Sequence, residues 1–147
     1  MFKSIVVPVD LAEMDVSKLA IDKAVALAAM TSAPLHFVYV RSILPVTFME
    51  YVPPSFDEEQ QTDCEEKMKA LIASLPLSDK SRVTSEIRMG SVYNEVLAEV
   101  EKHKADLIVI GSHRPAMATY LLGSNATTIV RHAPCSVMVI RPEASKK

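Results

Sequence analysis

The chain has two cysteines, Cys64 and Cys135, which form neither a CxxC pair nor a Cys/His spacing suited to a metal. No apolar run approaches the ~20 residues needed to cross a bilayer. Charge of one sign is also missing. Lys and Arg number 16 against 18 Asp and Glu, giving a net charge of −2, and the basic residues are scattered. That excludes the basic footprint by which proteins hold nucleic acid or anionic lipid. No basic segment followed by an apolar one precedes the strand-like run Ser4 to Val9, so no signal peptide is expected. A soluble, cytoplasmic protein with reduced thiols is expected. Three chemical signatures are absent as well. There is no GxxxxGK[ST] phosphate loop, no GxGxxG after the first strand and no GxSxG nucleophile elbow. His113, His132, His36 and His103 have no evident nucleophile or orienting carboxylate beside them, and nothing forms a hydrolytic constellation.

What is there is ordinary globular material. Hydrophobic residues make up 49% and charged residues 23%, which argues against disorder, and 147 residues suit one domain over 1–147. Periodicity alternates between strands and helices. Strands are expected at Ser4–Val9, Leu35–Val40, Val83–Met89, Leu107–Ile110 and Ser136–Ile140. A first helix has Val16, Leu19, Ala20, Ala24, Leu27 and Ala28 on one face. A second carries Cys64, Met68, Leu71, Ile72 and Leu75. A third begins after Ser91 as N-cap and buries Val92, Val96, Leu97 and Val100; the fourth spans Ser124–Arg131. Such alternation argues for an α/β fold with a parallel sheet covered on both faces.

Strand texture orders the sheet. The first and fourth strands are continuously apolar, as central strands are, whereas the third alternates, as an edge strand does. The doubly wound order 3-2-1-4-5 fits, with a ligand crevice between strands one and four. Strand five would be the other edge, yet Cys135 to Ile140 carries no charge. A bare apolar edge invites pairing with a second copy, so a homodimer through Ser136–Ile140 is expected. The connection Arg41 to Phe56, with Pro45, Pro53 and Pro54, reads equally as a lid or as a loop folded on its own apolar side chains.

The crevice gathers the candidate site. Asp10 suits ribose hydroxyls or a magnesium ion beside a phosphate, and equally suits the capping turn of the first helix. Val40 and Met89 could line an adenine pocket or simply belong to the core. The stretch Gly111 to Asn125, GSHRPAMATYLLGSN, is the most informative part of the chain. Gly111 ends a parallel strand. Gly123, Ser124 and Asn125 start a helix, whose free N–H groups and dipole favour phosphate. Arg114 adds a cation to the same loop.

Together, Pro8-Val9-Asp10 and that loop resemble the universal stress protein family, and the resemblance runs over essentially the whole chain, including the closing VRHAPCSVMVIR. The Ser112-His113-Arg114-Pro115 and Tyr-Leu-Leu-Gly-Ser-Asn pieces resemble the F/G-type members. The resemblance implies a flavodoxin-like domain, usually homodimeric, in a family where many members bind ATP and others do not. ATP-binding members carry Gly-x2-Gly-x9-Gly-Ser/Thr. Gly111 matches the first glycine and Gly123-Ser124 the last pair. Arg114 replaces the second glycine, and the spacer Pro115–Leu122 has eight residues rather than nine. The resemblance also implies Asp10 and Val40 near the nucleoside, with Ser136 and Val137 near the phosphate loop. The reading adopted is an ATP-binding (with Mg2+) regulatory or stress-response homodimer. A slow ATPase or adenylyl-transfer enzyme would need a water-positioning group or a lysine in the loop. A nucleotide-free dimeric module is what Arg114 and the short spacer would favour.

Overall fold

The computed structural model describes residues 1–43, 45, 47, 50–112 and 123–142, with the side chain of Val16 left aside. Among these, nine elements alternate in chain order. They are β1 Ile5–Pro8, α1 Met14–Thr31, β2 Leu35–Arg41, α2 Phe56–Ala73, β3 Val83–Met89, α3 Val92–Lys102, β4 Leu107–Gly111, α4 Ser124–His132 and β5 Ser136–Ile140. All strand pairings are parallel, and the sheet order is β3-β2-β1-β4-β5, the flavodoxin-like order expected from strand texture.

Side-chain alternation sorts the strands onto two cores. Ile5, Val7, Leu35, Phe37, Leu107 and Val109 point toward α1 and α2. Val6, Val38, Val40, Ile108 and Ile110 point toward α3 and α4. The central strands are buried on both faces, which is why β1 and β4 read as unbroken apolar runs. Cys64 is buried and Cys135 half-buried, and burial pushes both thiols up, away from the reactive thiolate.

One helical face is corrected. Leu19 is 40% exposed; the buried stripe of α1 is Ser17, Ala20, Ile21, Ala24, Val25 and Ala28. The spacing of Ile21 and Val25 turns the helix away from Leu19 and sets three alanines against the sheet, where small side chains allow close approach. Ser32, in the left-handed conformation at φ 59, closes the helix by donating its N–H to Ala28 O. The apolar faces expected of α2 and α3 do pack on the sheet, around buried Cys64 and Met68 and around buried Val96 and Val100.

The amino ends of β1 and β4 are tied by Asp106. Its carboxylate accepts the Lys3 N–H at 2.9 and 3.0 Å and the Ser4 N–H at 3.0 Å. Burial alone would raise this carboxyl, but the Ser4 and Lys3 N–H groups outweigh it and hold the pKa below the ordinary value. A depressed folded-state pKa contributes stability that is present above the unfolded pKa and lost as pH falls through the folded one. Asp106→Ala is therefore expected to lose about 1–2 kcal/mol at neutral pH. The gap to the unmodified protein should shrink below about pH 4, where the unfolded chain takes up a proton that the folded carboxylate still resists. Urea unfolding at neutral and acid pH checks this; an equal gap at both would contradict it.

Candidate functional site

The chain runs from β1 toward β2 on one side and reaches β4 on the other, so the crevice at their carboxyl ends is a topological switch point. A cavity of about 490 Å³ opens there, within the size range of small-molecule sites. Its floor is apolar, made by Val38, Val40, Val92, Val96, Ile110 and Ile129; its polar rim includes Asp10, Ser17, Ser42 and Asn125. Of the candidate residues, Pro8, Val9, Asp10, Val40, Gly111 and Asn125 line this one space.

Asp10 is held by its neighbours. Its N–H donates to Ser17 Oγ at 2.8 Å, and its Oδ1 accepts the N–H of Ala12 at 3.0 Å and of Glu13 at 3.3 Å. This is the turn role weighed for it, and it fixes the carboxylate at the cavity rim. Ser112 is buried and donates its N–H to Ile140 O at 3.1 Å, while its own carbonyl accepts the Gly123 N–H at 2.9 Å. That bond is a neck. The intervening residues 113–122, with His113 and Arg114, lie outside the described residues. A Cβ on Gly123 would meet Ser112 O at 3.2 Å, so the neck closes this tightly because residue 123 is glycine. Its φ of −60 is ordinary, so space rather than backbone strain is the reason.

Gly123 is the N-cap of α4, and among the described residues no side chain caps that helix. The first N–H groups of a helix have no intrahelical partner, and Asn125 and Ala126 bring this end of α4 to the cavity. Ser124 is exposed in the first turn, where its carbonyl accepts the Thr128 hydroxyl at 2.9 Å.

Two expected placements are corrected. Met89 is 40% exposed at the end of the edge strand, opposite Arg41, and does not line the cavity. Ser136 and Val137 pair with Leu107 and Ile108, at the amino end of β4, whereas Ile140 is opposite Gly111. Four residues of strand put Ser136 roughly 13 Å from the crevice end.

The sequence reading missed a buried polar group on the α3 side of the sheet. His36 Nδ1 is 2.6 Å from Thr84 Oγ1, and His36 Nε2 is 3.1 Å from Glu99 Oε2. Arg88 Nη1 donates to Glu99 Oε1 at 3.0 Å, and His103 Nε2 lies 3.2 Å from Glu99 Oε2. Glu99 has no exposed surface. Burial, and then the nearness of His103, push the His36 imidazole down to about 4 against the raising pull of Glu99. At neutral pH the His36–Glu99 contact is thus a hydrogen bond from a neutral ring, not an ion pair. Burial alone would raise the Glu99 carboxyl; the Arg88 hydrogen bond opposes it, and the net shift is downward. The available signal was a histidine inside the apolar strand LHFVYVR together with Glu99 and His103 four apart on a helix.

A sequence profile described as the Universal stress protein family matches residues 1–141. Universal stress protein G of Salmonella typhimurium is 37% identical, over 96% of this chain and all of that protein. Among solved structures, universal stress protein UspA from Lactobacillus plantarum superposes with a TM-score of 0.72 at 25% identity, covering 95% of this chain and 97% of that one. A universal stress protein in complex with cAMP has a TM-score of 0.65 at 20% identity, covering 95% and 97% of the two chains. The chain belongs to the universal stress protein family, in agreement with the resemblance drawn from its loop motifs.

Proposed function

We propose that this universal stress protein is an ATP-binding regulatory protein of the stress response, acting as a homodimer. Nucleotide is held between the ends of β1 and β4. The observation that carries the reading is the single cavity that joins Asp10, Gly111 and Asn125 over an apolar floor. A purine suits such a floor, with Val40 beneath it, and Asp10 at the rim suits ribose hydroxyls. The phosphates belong toward the uncapped start of α4, with Gly123, Ser124 and Asn125. Arg114, two residues after Ser112 in sequence, supplies their counter-charge, and Mg2+ accompanies them. That a fold neighbour is a complex with cAMP, another adenine nucleotide, supports the class of ligand.

The reading is tested by adding ATP and Mg2+ to isotope-labelled protein and following methyl and amide resonances. Shifts should concentrate at Val9, Val40, Ile110 and Asn125. Shifts confined to the opposite end of the sheet, or none at saturating ATP, would overturn it.

The dimer is assigned to β5. This strand forms one edge of the sheet, its five residues carry no charge, and both its faces are half-buried against the two cores. A charge there disfavours strand pairing between copies. Val139→Asp is expected to halve the mass seen by light scattering while far-UV dichroism keeps its α/β form. A folded variant of unchanged mass would argue against the β5 interface.

A further inference from the structure

We infer that His36, Glu99 and His103 form a binding site for a divalent transition-metal ion of the zinc class, separate from the nucleotide crevice. Their three ligating atoms lie within 4.8 Å of one another. His36 Nε2 and His103 Nε2 stand 3.1 and 3.2 Å from the same oxygen, Glu99 Oε2. Tetrahedral zinc with bonds of about 2.0–2.1 Å sets its ligand atoms roughly 3.3–3.4 Å apart. Two of the three spacings are thus already near those of a bound ion.

The His36 and His103 rings stack with centroids 3.7 Å apart and planes 31° apart, so the more exposed His103 ring turns for both Nε2 atoms to face one ion, while the outer partners of the other two ligands are already in place. Ligating histidines commonly fix their second ring nitrogen on an outer partner, and ligating carboxylates are themselves hydrogen-bonded. Thr84 Oγ1 holds His36 Nδ1 at 2.6 Å, and Arg88 Nη1 holds Glu99 Oε1 at 3.0 Å. Both contacts leave the inward atoms, Nε2 and Oε2, facing the centre. His103 Nε2 is buried, and no described group hydrogen-bonds it despite its nearness to Glu99. Buried polar atoms are nearly always satisfied, and one left over calls for an explanation. An ion between the three atoms supplies it.

Each element contributes through its register. His36 lies in β2 opposite Val6 and Thr84, near the amino end of the strand, and four residues before Val40. The cavity floor begins at Val38, two residues on and roughly 7 Å along the strand, and His36, Glu99 and His103 do not line it. Glu99 and His103 stand one helical turn apart at the end of α3. Glu99 is fully buried, whereas the His103 side chain is 28% exposed, so an ion reaches the buried Nε2 atoms past the His103 ring. Two imidazoles and one carboxylate are the donor set of a borderline-soft ion such as Zn2+, rather than of Ca2+ or Mg2+, which take oxygen.

The test titrates chelator-stripped, full-length protein with Co2+ and reads its visible absorption. One equivalent should bind with intense tetrahedral bands and be displaced by Zn2+. His103→Gln should abolish the bands at unchanged far-UV dichroism, while His132→Gln, at the end of α4, should keep them. Absent bands, or bands that persist in His103→Gln, would overturn the site. A second readout needs no variant. In imidazole-labelled protein, Zn2+ should move the Nε2 resonances of His36 and His103 together, and response at His132 alone would contradict the assignment.

Discussion

Replacing Glu99 with alanine is expected to lower the thermal midpoint of the metal-free protein by about 10 °C. Glu99 is fully buried, and its two oxygens serve Arg88 on one side and His36 on the other. Alanine leaves a cavity, an imidazole without its acceptor and a partly covered guanidinium without its counter-charge. Removing one member of a buried charged group costs about 3–5 kcal/mol, and in a domain of this length each kcal/mol lowers the midpoint by roughly 2–4 °C. Glu99→Gln should cost less, because its amide oxygen still accepts from one partner. Adding His36→Leu to Glu99→Ala should recover part of the loss, since the imidazole that lacked its acceptor is then gone. Calorimetric melting in the presence of a chelator checks all three. A fall of only a degree or two for Glu99→Ala would mean that the group is solvated in solution and holds little together.

Gly123→Val is expected to weaken ATP binding about 100-fold or more, equivalent to ~2.7 kcal/mol, while leaving the dimer intact. A single Cβ at this position already meets Ser112 O at 3.2 Å. A branched side chain pushes the start of α4 and Ser112 O apart by at least a few tenths of an ångström and strains the 2.9 Å bond that closes the neck. The N–H groups of the first helical turn then no longer aim where the proposed reading puts the phosphates. The β5 edge is held by its own pairing with β4, from Leu107–Ser136 to Gly111–Ile140, and keeps it. Titration of the variant with ATP, alongside light scattering, separates the two effects. Unchanged affinity would remove the phosphates from this end of α4; loss of the dimer would show that the neck supports more than the crevice.

Strand order was legible because burial leaves a mark on single strands. Ile5 to Val7 and Leu107 to Ile110 carry no polar residue since both their faces are covered, and the alternation in β3 reports its place at the edge. The crevice was legible for the same reason: once β1 and β4 are neighbours, Asp10 and Gly111 must meet at their ends. What failed depended on reach and rotation. Met89 ends a strand on the crevice side of the sheet but stands too far out along it. Ser136 and Val137 sit on the right strand at the wrong end, which only the register with Leu107 reveals. Leu19 fits a helical stripe as well as Ile21 does, and packing chooses between them. His36, Thr84, Arg88, Glu99 and His103 could not be grouped in advance, because their meeting needs the β2–β3 register and the rotation of α3 together.

The central claim is nucleotide binding in the switch-point crevice, and calorimetric titration of the purified protein with ATP and Mg2+, with GTP as control, tests it most directly. Saturable binding at micromolar ATP, one nucleotide per chain, and none with GTP is the predicted result. Absence of heat with ATP, in protein confirmed free of carried-over nucleotide, would contradict the account and mean that Arg114 and the eight-residue spacer close the site.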